Sequence, residues 1–206
     1  MRGFFNTIAK NGKILDVGCG NGSPFLVKVQ RPDVYYVGLD IGDYNQTPVS
    51  LSAADRYIIT SPKEFAEEIA RLPDSFDAVI SAHNLEHCDE PDETLQAMLM
   101  SLKKGGRLYL SFPCEESVSF PSRNPLNFFD DPTHKRPPEF DRTVNAIRSA
   151  GFNVDFAAKR YRPLTLFLLG LILEPFGYLL KRNMPAGSTW ALYGFETVIW
   201  ASRSLS

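Results

Sequence analysis

Apolar and β-branched runs recur along this chain and alternate with stretches of helical periodicity. KILDVGC (13–19), YYVGLDI (35–41), RYIIT (56–60), FDAVISA (76–82) and GRLYLSFP (106–113) read as buried strands. Between them SPFLVKVQ (23–30), SPKEFAEEIARL (61–72) and DEPDETLQAMLMSLKK (89–104) read as helices. Ser61, Pro62 and Glu64 supply a cap, a first-turn proline and the carboxylate of a capping box. Gly105-Gly106 is expected to end the third of these helices. Strands apolar on both faces, separated by helices, predict a parallel sheet covered on both sides.

Beyond residue 113 the pattern changes. Residues 114–139 are rich in Pro, Ser, Asn and Asp and read as a long loop of the kind that carries function. A helix, FDRTVNAIRSAG (140–151), then FNVDFAAKR (152–160) and a last strand, FETVIWASR (195–203), follow. Within an insert at about 161–193, Leu164 to Leu173 is apolar almost all round a helix. Glu174-Pro175 is expected to split it into two helices, and the uninterrupted run is too short to span a bilayer. Two uses suit it: a lid or homodimer contact, or peripheral membrane contact through 163–182 with Lys181 and Arg182 on anionic headgroups.

Bulk properties narrow the classes. A chain of 206 residues suits one domain with one core. A net charge of -2 argues against a nucleic-acid partner. Cys19, Cys88 and Cys114 are far apart, which disfavours a disulfide framework or a zinc cluster and suits a reducing cytoplasm. The first residues lack the apolar core of a secretion signal, so the expected location is cytoplasmic, at the inner membrane surface if the insert meets lipid.

The sharpest motif is ILDVGCGNG. Gly18, Gly20 and Gly22 sit between a strand and a helix, where glycine permits a tight turn and close ligand approach. Asp40 ends the next strand, where a carboxylate can hold ribose hydroxyls. The spacing G-x-G-x-G departs from the dinucleotide G-x-G-x-x-G, with Ser23 at the third dinucleotide glycine position. Asp16 before the loop would repel pyrophosphate but suits an ammonium group.

At these residues the chain resembles the class I S-adenosylmethionine-dependent methyltransferases. ILDVGCGNG is similar to their glycine motif and YVGLDI to their ribose-binding acid motif. FDAVISAHNLEH resembles the fourth-strand motif of the type 11 branch. LKKGGRLYLSFP resembles the segment L-K-P-G-G-x-L, with Lys104 in place of proline. The resemblance implies an α/β Rossmann-like seven-stranded sheet of order 3-2-1-4-5-7-6, strand seven antiparallel, helices on both faces. It implies S-adenosyl-L-methionine as cofactor, held by Asp16, Gly18, Gly20, Gly22, Asp40 and Ile41.

The chain has three histidines: His83 and His87 after the fourth strand, and His134 in DDPTHKRPP after the fifth. In such a sheet all three fall at the carboxyl edge, where chemistry is expected. Three accounts stand. One of them is a general base for a hydroxyl acceptor, with His134 or His83 leading. Alternatively, H-x-x-E-H with His134 binds a divalent ion; this resembles the E-x-x-E-H site of certain metal-assisted O-methyltransferases, with His83 in place of the first Glu. In the third account the residues shape the loop. Ser117, Ser119, Arg123, Asn124, Asn127, Asp130, Asp131, Thr133, Lys135 and Arg136, with Phe120, Phe128 and Phe129 as a wall, offer contacts for a sugar or another hydroxylated acceptor.

The expected function is O-methylation of a small-molecule or glycan-type acceptor. The rivals are a silent cofactor-binding partner or membrane-surface scaffold, and an NAD(P)-dependent oxidoreductase, which the glycine spacing disfavours.

Overall fold

The apolar runs form strands β1 (Lys13–Val17), β2 (Tyr35–Asp40), β3 (Arg56–Ile59), β4 (Phe76–Ala82), β5 (Leu102–Pro113), β6 (Phe152–Ala158) and β7 (Glu196–Arg203). The computed structural model describes residues 1–43, 46–72, 75–123 and 125–205. The strands pair in one sheet of order 3-2-1-4-5-7-6. Strands β1 to β5 run parallel, and β7 lies antiparallel to both β5 and β6. The order and the reversed seventh strand match the expectation from sequence.

Successive strand residues fall into different cores, as the two-residue period of a strand requires. Leu15, Val37, Val79, Leu108 and Ile199 lie in one apolar cluster. Their neighbours Ile14, Tyr36, Ile80, Tyr109 and Val198 lie in the other. Helices α1 (Arg2–Phe5), α2 (Ser23–Gln30), α3 (Pro48–Ala53), α4 (Phe65–Ala70), α5 (Pro91–Ser101) and α6 (Phe140–Ser149) surround the sheet, with α7 (Leu164–Leu180) and α8 (Ser188–Tyr193) from the insert.

Three local expectations need correction. The helix expected to reach residue 104 stops at Ser101, because Leu102 pairs with Phe76 and is fully buried. Gly105, at φ 75°, then lies inside β5 rather than after a helix. Ser61 does cap its turn, accepting from Glu64 N at 3.3 Å, but the first turn is 3-10 and α4 begins only at Phe65. Lastly, α7 runs unbroken through Pro175. A helical proline leaves the carbonyl four residues earlier without its donor; Pro175 is exposed, so that loss falls on the outer side of the helix.

Candidate active site

The carboxyl ends of β1 and β2 are neighbours in register, Val17 against Leu39. The turn after β1 is held there by Gly18 N and Cys19 N, which donate to Leu39 O at 2.9 and 3.4 Å. Gly18, Gly20 and Gly22 all take positive φ (69°, 52° and 83°). At Gly18 a Cβ would lie 2.3 Å from Asn84 Oδ1, so only glycine fits beneath that side chain. At Gly20 and Gly22 a Cβ would meet nothing within 4 Å and would project into open space.

Asp40 closes the loop. Its Oδ2 accepts from Gly20 N and its Oδ1 from Ile41 N, each at 2.7 Å. Burial raises its pKa, and these two backbone donors oppose the rise. Each carboxylate oxygen can accept a second bond, and Asp40 lines a cavity of about 960 Å³. Gly18, Gly20 and Ile41 border that cavity, and so do His83, His87 and His134. The structure therefore brings the two groups of candidates around one space.

Asp16 is placed differently from the expectation. It is buried below the loop, accepts from Ser23 Oγ at 2.5 Å and Tyr36 OH at 2.7 Å, and does not border the cavity. Burial pushes its carboxyl up to about 6 despite those bonds. Its visible work is to tie the start of α2 to β2. Gly22, the residue before α2, is likewise off the cavity wall.

The histidines divide into two kinds. His83 takes φ 53° and donates Nδ1–H to Glu86 Oε1 at 3.2 Å and Nε2–H to Glu196 Oε1 at 2.9 Å. Burial alone would lower its pKa, but Glu196 and then Glu86 outweigh it and raise it to about 10. A ring protonated on both nitrogens has no lone pair for an acceptor's proton. Glu196, 113 residues away, had no local signal in the sequence.

His83 should then show in the stability profile. A raised folded pKa stabilises the fold fully below the unfolded value near 6.5, and the contribution is lost as pH rises through about 10. The Tm of the wild-type chain should fall over that window by several degrees more than the Tm of His83→Gln. Parallel thermal melts would show the ring uncharged in the fold.

His134 and His87 are oriented for something else. His134 Nδ1 lies 2.6 Å from Phe128 O, and a carbonyl only accepts, so Nδ1 carries the hydrogen. Nε2, the lone-pair nitrogen of the neutral ring, lies 4.0 Å from Glu86 Oε1 and 3.9 Å from Asp131 Oδ2. Thr133 Oγ1 donates to Asp131 Oδ1 at 2.6 Å and so accepts from His87 Nδ1 at 2.9 Å, which leaves His87 Nε2 open too. The two rings are 4.7 Å apart. Lys135 N donates to Glu86 O at 2.9 Å and pins this loop to the turn Leu85–His87. One ligand atom each from Glu86, His87 and His134 lies within 4.8 Å of the others. Glu86 is fully buried, and among the described residues its Oε2 has no partner. The H-x-x-E-H set thus converges without His83.

Much of the long loop serves itself. Asp130 accepts from the backbone N–H of Arg123, Leu126 and Asn127 and from Ser122 Oγ. Asn127 donates to Val118 O and Phe120 O. Arg123 is buried and donates to Glu174 and Tyr193. Phe128 is buried against His134, and Phe129 is exposed. None of these, nor Phe120, borders the cavity, whereas Asp131, Thr133, His134 and Lys135 do. Asn124 lies outside the described residues.

The family described as a methyltransferase domain matches residues 2–155. A ubiquinone biosynthesis O-methyltransferase of Saccharophagus degradans is 35% identical over 104 residues, 48% of this chain and 42% of that protein. The chain spans less than half the length of the curated relatives it matches. Among solved structures, an S-adenosylmethionine-dependent methyltransferase from Mesorhizobium loti superposes with TM-score 0.65 at 15% identity, covering 98% of this chain and 96% of that one. One from Archaeoglobus fulgidus superposes with TM-score 0.62 at 19% identity, covering 98% and 90%.

Proposed function

The chain belongs to this methyltransferase-domain family and has the class I S-adenosylmethionine-dependent methyltransferase fold, and from that premise we propose that it methylates a hydroxyl oxygen of a small acceptor. The observation that carries the reading is the Nδ1–H bond of His134 to Phe128 O, which in the neutral ring makes Nε2 the proton-accepting nitrogen of a residue that lines the cavity. The open cradle at Gly20 and the twice-bonded Asp40 carboxylate fit a nucleoside with two adjacent ribose hydroxyls.

S-adenosylmethionine, when bound, supplies an electrophilic methyl carbon with a neutral thioether as leaving group. Asp40 would accept hydrogen bonds from its ribose, and the left-handed glycines would let it lie against bare backbone. His134 Nε2 takes the hydroxyl proton as the oxygen becomes nucleophilic. His83, cationic between Glu86 and Glu196, holds the Glu86 carboxylate in place. The relatives named for O-methylation support oxygen as the accepting atom.

The convergence of Glu86, His87 and His134 favours a second reading, in which a divalent ion seated there binds the acceptor's oxygen. Two Nε2 lone pairs, each set by a bond at Nδ1, are the donor arrangement such an ion takes. The test is methyl transfer to catechol-type and sugar hydroxyl probes, with and without EDTA dialysis. Activity unchanged by EDTA is expected for the base; loss restored by Zn²⁺ or Mg²⁺ would establish the ion instead. Tight S-adenosylhomocysteine binding without transfer to any probe would count against the O-methyltransferase reading.

A further inference from the structure

We propose that α7 is a membrane-surface helix that seats the protein on a bilayer carrying anionic headgroups. The proposal stands independently of the reaction assigned above. Helix α7 has 17 residues, and one of them, Glu174, carries a carboxylate. That carboxylate turns inward, accepting from Arg123 Nη2 at 2.5 Å and Tyr193 OH at 2.7 Å. The buried positions of the helix are Gly170 and Gly177. A Cβ at Gly170 would lie 2.5 Å from Ser188 O, so the two glycines form the line on which α7 rests.

Leu166, Phe167 and Leu173 are half-buried beside that line, and the other large apolar side chains face out. Leu168, Leu171, Ile172, Phe176, Leu179 and Leu180 are all exposed; Ile172 is 68% and Leu179 78% accessible. At about 100° per residue the exposed apolar positions, Tyr178 round to Leu180, sweep an arc of roughly 200°. An interfacial helix ordinarily carries its own polar face. Here the body of the protein occupies that side, through the glycine line and the inward ion pair.

The charges choose the occupant. Arg162 at one end and Lys181 and Arg182 at the other are exposed, and among the described residues none of the three forms an ion pair. Cations at both ends, with none on the apolar arc, suit headgroups above an acyl layer. An arc this wide is a ridge, which fluid lipid surrounds on both flanks. The helix lies on this surface rather than crossing: among the described residues no helix is long and apolar enough to span a membrane. The seat is also close to the cavity. Gly170 packs on the carbonyl of Ser188 in α8, and Trp190 of α8 sits 5.3 Å from the His83 ring. A membrane-borne amphiphile would therefore meet the cavity wall one helix away.

The test is co-sedimentation of the full chain with vesicles of phosphatidylcholine alone and with phosphatidylglycerol added, alongside sedimentation velocity without lipid. The expected result is a monomer that pellets with the mixed vesicles. Ile172→Glu with Phe176→Glu should lower partitioning at least about tenfold. Lys181→Glu with Arg182→Glu should weaken binding to the mixed vesicles and leave the weak neutral-vesicle binding unchanged. S-adenosylhomocysteine titration of each variant checks that its fold is intact. No pelleting, or pelleting unaffected by the Glu pair, would overturn the proposal. So would a lipid-free dimer that Ile172→Glu dissolves and that ignores vesicles, since a second copy would then cover α7.

Discussion

Replacing His134 with alanine is expected to lower the methyl-transfer rate about 10²–10⁴-fold, the range that a positioned general base supplies, with S-adenosylhomocysteine affinity little changed. The asymmetry follows from placement. His134 lines the same cavity as Asp40 but makes no hydrogen bond to it or to the glycine loop among the described residues, and its Nδ1 is already committed to Phe128 O. What the substitution removes is the Nε2 lone pair. The pH–rate profile separates this role from a merely supporting one: the wild-type acid limb, set by protonation of a base, should be absent from the residual activity of His134→Ala. Turnover close to wild type would return His134 to loop shaping. His83→Gln should cost far less in rate, because the protonated ring between Glu86 and Glu196 transfers no proton.

Asp40→Ala is the second large effect, and it should appear in binding. The carboxylate organises Gly20 N and Ile41 N and offers its remaining lone pairs to the ligand. Two hydrogen bonds to a charged group, at about 1.5–3 kcal/mol each, correspond to a loss of about 100-fold or more in cofactor affinity. Isothermal titration with S-adenosylhomocysteine reads this directly, and an unchanged Kd would remove Asp40 from the ribose. Asp16→Asn is the internal contrast. Asp16 lies below the loop and bonds Ser23 and Tyr36, so its replacement should lower Tm more than it weakens binding.

The residues differ in how far local pattern exposed them. The placement of Gly18, Gly20 and Asp40 on the cavity is legible from sequence because it depends on backbone conformation and on the end of a strand, both set by a few neighbouring residues. Asp16 was legible as a position but not in its direction. Its side chain alternates with those of β1, and which face carries Tyr36 and Ser23 is decided by the register of β1 on β2. Asp130 and Asn127 looked like acceptor contacts by residue type, yet they satisfy the loop's own backbone donors and carbonyls. Composition cannot distinguish a polar group that serves a ligand from one that serves the chain.

By itself the sequence pattern marked six of the strands and the glycine turn, because strand period and glycine turns are short-range properties, while a seventh strand and the order of the sheet came from the resemblance of its motifs to a known family. Only the tertiary structure decided which ring nitrogens are committed, both of them in His83 and Nδ1 in His134. That choice turns on Glu196, 113 residues from His83, and on the carbonyl of Phe128 against His134. It also decided that α7 passes through Pro175 with its apolar side outward, since the glycine line and the Arg123–Glu174 pair hold it from the other side. Protonation state and exposure are set by what packs against a group, and those partners come from distant parts of the chain.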